Sequence, residues 1–129
     1  MEVSMADLTE PRVARLAGAE KVSFGPLSHY QNLLGAGDTP IFTGVQTCDP
    51  GYQTAAHFHP YVESLFIIEG TMEAWVIGEE DNIRTLQAGD MIALPANTAH
   101  AFRNPGPVTL RLLGIHANPE RIVHRLSEA

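Results

Sequence analysis

With 129 residues and a mass of 14.0 kDa, the chain has room for one domain built on one core. Hydrophobic residues make up 44% and charged residues only 18%, which excludes intrinsic disorder, and 11 Gly with 9 Pro interrupt the sequence too often for long helices. Eight Lys and Arg against 15 Asp and Glu give a formal net charge of −7 with no basic cluster, so a nucleic-acid partner would meet repulsion and is not expected.

The first segment, Met5 to Ala19, carries a weak helical pattern through Leu8, Val13 and Leu16, broken by Pro11 and stopped by Gly18. Met1 to Glu20 contains acidic residues and no apolar stretch of signal-peptide type, and the single Cys48 has no internal partner. A cytoplasmic location follows as an expectation. No apolar run reaches the length of a bilayer span, so no membrane partner is expected either. Glu20 to Gly44 reads as an arm, with Lys21 to Phe24 a candidate strand that either stays mobile or pairs with a neighbouring subunit.

Beyond Gly44 the chain becomes a series of short β-type runs: Val45 to Thr47, Thr54 to His59, Ser64 to Ile68, Thr71 to Ile77, Ile83 to Leu86, Met91 to Leu94, His100 to Phe102 and Val108 to Ile115. Turn residues bound each one, including Asp49-Pro50-Gly51, Glu69-Gly70, Gly89-Asp90 and Pro95 to Asn97. This spacing predicts an all-β sandwich or barrel over 45–116. After it, Pro119 to Leu126, with Asn118 as N-cap and Ile122, Val123 and Leu126 on one face, predicts a short C-terminal helix within 117–129.

His57 and His59 stand two apart on a β-type run, so both leave the same face of the sheet. Glu63 follows beside the apolar Leu65 to Ile68 run, where an unpaired carboxylate would be costly to bury. His100 opens a later apolar strand just after a turn. Three imidazoles and a carboxylate suit one divalent transition metal, with iron, manganese, nickel, zinc and copper all open, and a six-coordinate ion would keep two positions for water or substrate.

Gly51, His57, His59, Glu63 and Gly70, at their spacing, resemble the first motif of the cupin family at every position. Gly89, Pro95, Asn97, His100 and Asn104 resemble its second motif with one departure, Asn97 in place of glycine, a residue that tolerates positive φ. The resemblance implies a single-domain jelly-roll β-barrel, commonly assembled as a homodimer, with His57, His59, Glu63 and His100 as ligands to a metal inside the barrel. The expected organisation is an arm with leading strands over 1–44, the barrel over 45–116 and the helical segment over 117–129.

The remaining residues carry lesser expectations. Tyr61 and Ser64 flank the glutamate as donors to it or as solvent-facing hydroxyls. His29, His116 and His124 read as surface or loop histidines, Trp75 as lining the pocket or a subunit interface, and Cys48 as a buried, idle thiol. Proteins of this kind act on small organic molecules. The functional expectation is a metal-dependent enzyme, oxidative and dioxygenase-like, with Glu63 as ligand or as base toward a substrate hydroxyl. A non-redox isomerase or cyclase, or a small-molecule binder without catalysis, are the alternatives.

Overall fold

The structure, a computed structural model, describes residues 8–35 and 37–126. Eleven strands form it: β1 (Val22–Ser23), β2 (Ser28–Asn32), β3 (Phe42–Cys48), β4 (His57–Phe58), β5 (Glu63–Glu69), β6 (Thr71–Val76), β7 (Arg84–Gln87), β8 (Met91–Leu94), β9 (His100–Arg103), β10 (Leu110–His116) and β11 (His124–Arg125). All pairings are antiparallel, in a six-stranded sheet ordered β1-β2-β3-β10-β5-β8 and a five-stranded sheet ordered β11-β4-β9-β6-β7. This is the expected all-β jelly roll. Among the described residues there is no helix, and so none long and apolar enough to cross a membrane.

Period-two alternation drives the architecture. On β10 every second residue is buried, from Leu110 through Leu112 and Gly114 to His116, and β5 alternates likewise through Glu63, Leu65 and Ile67. These inward rows meet Met72 of β6, Leu86 of β7 and Phe102 of β9 in one apolar cluster that includes the fully buried Cys48. Burial pushes the Cys48 thiol up to about 11, consistent with the idle role expected of it. The turn from β5 into β6 requires Gly70, at φ 86°, because a Cβ there would overlap the Thr109 carbonyl oxygen. Asn104, buried between strands, bonds the Cys48 and Val108 carbonyls at 3.0 and 2.9 Å and accepts from Gly106 N–H at 2.8 Å, so its part is structural.

Three expectations need correction. The C-terminal helix is not formed: Pro119 and Glu120 lie in a bend, residues 121–123 have no regular structure, and β11 pairs with β4, Arg125 opposite His57. An eight-residue helix with β-branched Ile122 and Val123 has little stability of its own. Its backbone bonds go elsewhere instead, with Ile122 tied to Tyr61 and His59 and Leu126 N–H donating to the Ala56 carbonyl at 3.1 Å. Nor is the first weak helix present between residues 8 and 19, where the Leu16 and Ala19 carbonyls accept from the Gln31 side chain at 3.3 and 3.0 Å; its opening residues, Met5 to Asp7, lie outside the described residues. Finally, the segment read as an arm contributes β2, which pairs along β3 from Ser28 opposite Cys48 to Asn32 opposite Gly44, while the candidate strand at Lys21 to Phe24 appears as β1 against β2 of the same chain.

Candidate metal centre

The four residues singled out in the sequence come together at one end of the barrel. His57 on β4 lies directly opposite His100 on β9, His59 follows β4, and Glu63 opens β5. One donor atom from each falls within 4.8 Å of all the others. His59, Glu63 and His100 are buried, whereas His57 is half-buried and faces a cavity.

Backbone carbonyls set the three imidazoles. His57 Nδ1 lies 2.8 Å from the Ala55 carbonyl oxygen, His59 Nδ1 2.6 Å from that of Ile122, and His100 Nδ1 2.8 Å from that of Thr98. A carbonyl only accepts, so each ring carries its proton on Nδ1 and turns a bare Nε2 lone pair toward the other two rings. His59 Nε2 and His100 Nε2 sit 3.2 and 3.4 Å from Glu63 Oε1, yet neither is aligned for a hydrogen bond with it, and both remain buried without a partner. Two orphaned acceptor nitrogens beside a carboxylate are unfavourable as they stand and are relieved by a cation. The donor set therefore fits a divalent transition metal.

The second carboxylate oxygen has its own support. Glu63 Oε2 lies 3.1 Å from Nε2 of His116, the last residue of β10 and the register partner of Glu63. His116 Nδ1 is 2.6 Å from the Tyr61 hydroxyl, which accepts from Ile122 N–H at 3.0 Å. A consistent proton arrangement runs from Ile122 N–H to Tyr61 and from Tyr61 O–H to His116 Nδ1, which leaves His116 Nε2 in close contact with Glu63 Oε2. Tyr61 is thus a donor within the site, but to His116 rather than to the glutamate. Ser64, its neighbour in the strand, alternates to the other face and is half-buried.

Electrostatics follow from this packing. Burial alone would raise the Glu63 carboxyl, but a proton on any of the surrounding His100, His59 and His116 rings favours the carboxylate, and the net direction is downward. Burial pulls His59 down, and the Glu63 carboxylate and the Ile122 carbonyl more than offset this, so its net shift is upward. His57 and His116 are both pushed down to about 4, burial being the main cause, and are neutral at pH 7.

His116 was expected at the surface and is 3% exposed. The signal that would have found it is alternation, since Leu110, Leu112, Gly114 and His116 share one face of β10. The Ile122 backbone was missed for the opposite reason, because its helical pattern hid an irregular strap. Trp75 does not line the cavity; it lies on the outer face of β6, with the Arg103 guanidinium 5.5 Å from its ring. His124 is exposed on β11, and Asn97 adopts φ 62°, so the motif turn survives its non-glycine residue.

Residues 44–116 match the Cupin domain family. Over 84 residues, 65% of this chain, the sequence is 34% identical to Protein SchB of Streptomyces halstedii, of which the match spans 59%. Over 83 residues, 64% of this chain, it is 36% identical to the 5-nitrosalicylic acid 1,2-dioxygenase of a Bradyrhizobium species, of which it spans 39%. The matched region is thus about half the length of these curated relatives. Among solved structures, the polyketide cyclase RemF from Streptomyces resistomycificus superposes with a TM-score of 0.77 over 93% of this chain and 88% of its own at 16% identity, a likeness of fold. Two motifs in register, a jelly roll of two antiparallel sheets and a family match over more than half its length establish that this chain belongs to the cupin family.

Proposed function

We propose that this chain is a metal-dependent enzyme acting on a small organic substrate, with an oxidative, dioxygenase-type reaction favoured. The observation that carries the reading is the pair of buried, unpartnered Nε2 atoms of His59 and His100 turned toward Glu63, with His57 completing the set. The relationship to a dioxygenase over 64% of the chain supports the oxidative form. A divalent ion in this set supplies Lewis acidity, and iron adds the capacity to activate dioxygen. The residues themselves orient and exclude. Carbonyl-fixed imidazoles present preformed lone pairs, Glu63 brings the one negative charge, and the half-buried His57 marks the side open to a substrate. A carboxylate shifted below its usual range serves as a ligand in preference to a base, and Glu63 is assigned that role first.

The test is elemental analysis of protein purified without chelator, beside His57→Ala and His100→Ala. Stoichiometric metal in the parent and its loss from both variants, with folding intact by circular dichroism, is the expected result; equal metal in all three overturns the ligand set. Iron directs the substrate screen to oxygen consumption, whereas zinc shifts the reading to the non-redox isomerase or cyclase. A cytoplasmic location and assembly as a homodimer belong to the same proposal, and a monomer mass by sedimentation removes the second.

A further inference from the structure

A cavity of about 420 Å³ opens beside His57, large enough for a ring-sized ligand. Its lining inverts the charge of the molecule. The chain carries 15 acidic against 8 basic residues, yet no Asp or Glu lines the cavity while two arginines do, Arg121 and Arg125, both from the C-terminal strap. Among the described residues neither guanidinium is bridged to a carboxylate, unlike Arg12, Arg103 and Arg111.

Both arginines are placed by the fold. Arg125 lies in β11 directly opposite His57 on β4. The Arg121 guanidinium stands 5.1 and 5.9 Å from the ring centroids of Phe24 and Tyr30, themselves stacked at 5.8 Å. Stacking fixes the plane of a guanidinium while leaving its N–H edge free to bond. Tyr52 and Phe102, packed at 6.2 Å, supply apolar wall to the same cavity.

We infer that this cavity selects a small carboxylate on an apolar, ring-sized body, with Arg121 and Arg125 holding the carboxylate on the side of the cavity that His57 lines. The inference deepens the enzymatic reading by naming its substrate class, and it rests on that reading only for calling the ligand a substrate, because anion recognition by the arginines requires no metal.

Calorimetric titration of benzoate and of its neutral isostere benzamide tests it, in metal-loaded and metal-stripped protein. Arg121→Gln, Arg125→Gln and the double variant are compared with Arg84→Gln as a control remote from the cavity, and melting temperatures verify the fold of each. Benzoate is expected to bind about tenfold or more tightly than benzamide, the size of one charge-assisted hydrogen bond. The preference should weaken with salt, persist without metal, disappear in the double variant and survive in Arg84→Gln. Equal binding of the two probes, no binding of benzoate, or a benzoate preference that outlasts loss of both arginines overturns the inference. A preference seen only with metal and indifferent to the arginines places the carboxylate on the ion instead, and also overturns it. Failure of the metal reading is seen separately, as absence of metal in a protein that still prefers benzoate.

Discussion

The barrel has two ends made from the same strands and opposite chemistry. Along β10 the inward positions pass from Leu110 and Leu112 through Gly114 to His116, and along β5 from Ile67 and Leu65 to Glu63. At the apolar end these side chains bury each other and need nothing further, each contributing about 1.5–3 kcal/mol by leaving water. At the polar end a carboxylate and three imidazoles are buried with the half-buried His57 beside them, and withdrawing the carboxylate from water costs several kcal/mol that its neighbours only partly offset. Two nitrogens there stay unpartnered. Stability and chemistry are therefore separated along the barrel axis, so substitutions at the two ends should produce different phenotypes.

The largest effect is expected from trimming the apolar end. Ile67 and Leu112 are among the most deeply buried side chains, and Ile67→Ala or Leu112→Ala should each cost about 2–5 kcal/mol in denaturant unfolding. Metal stoichiometry of the protein that remains folded should not change. His100→Ala should show the reverse, losing metal while the metal-free protein keeps nearly its full unfolding free energy. Should His100→Ala unfold the metal-free protein as severely as Leu112→Ala, the two ends are not separable in this way.

Acid should act chiefly through the polar end. His57 and His116 take up protons near pH 4 in the fold but near 6.5 when unfolded, so their contribution is complete above 6.5 and lost as pH falls toward 4. Glu63, depressed from 4.5, contributes in the same sense at lower pH. His59 runs the other way: raised above 6.5, its contribution is present below that value and disappears as pH rises through its folded pKa. The net expectation is a loss of a few kcal/mol in the metal-free protein between about pH 6.5 and 4. Metal affinity should fall as pH drops through the raised value of His59, because proton and metal compete for its Nε2, with release on binding of any proton held there. Calorimetry in buffers of different ionisation enthalpy reads both, and a melting temperature flat from pH 6.5 to 4 would contradict the burial of these rings.

Much of this arrangement was legible in the residues. Two spaced motifs identified the barrel and brought four side chains to one point, because sheet alternation and turn chemistry are local rules. What escaped was decided by tertiary contacts. His116 reads as a strand end followed by solvent, and only its register opposite Glu63 reveals a ring in contact with the carboxylate. The strap at Ile122 has helical spacing, but its N–H and carbonyl are claimed by Tyr61 and His59 across about sixty residues of sequence, which no local pattern records. β2, rich in polar residues at Ser28, His29, Gln31 and Asn32, lacks an apolar signature and forms because β3 offers a free edge. If the His116 contact orients Glu63, His116→Phe should weaken metal binding by about 10–100-fold in competition titrations, with less loss in His116→Asn, which keeps a polar side chain. Equal affinity in His116→Phe would leave His116 a packing residue of the polar end.

The smallest effect concerns the junction between the two motifs. Asn97 holds φ 62° where the second motif has glycine, and its N–H donates to the His59 carbonyl at 2.7 Å. The turn that leads into His100 thereby also tethers the strand end that carries His59. Asn97→Gly keeps the N–H and relieves the left-handed backbone while enlarging the freedom of the unfolded chain, so stability should shift by no more than about 0.5 kcal/mol. Asn97→Ala keeps the same N–H but meets the full steric cost of that φ, about 1 kcal/mol. Because the tether is a backbone bond, metal affinity should stay unchanged in both. A fall in affinity for Asn97→Ala without a matching fall in melting temperature would instead mean that the asparagine side chain itself helps to aim His100.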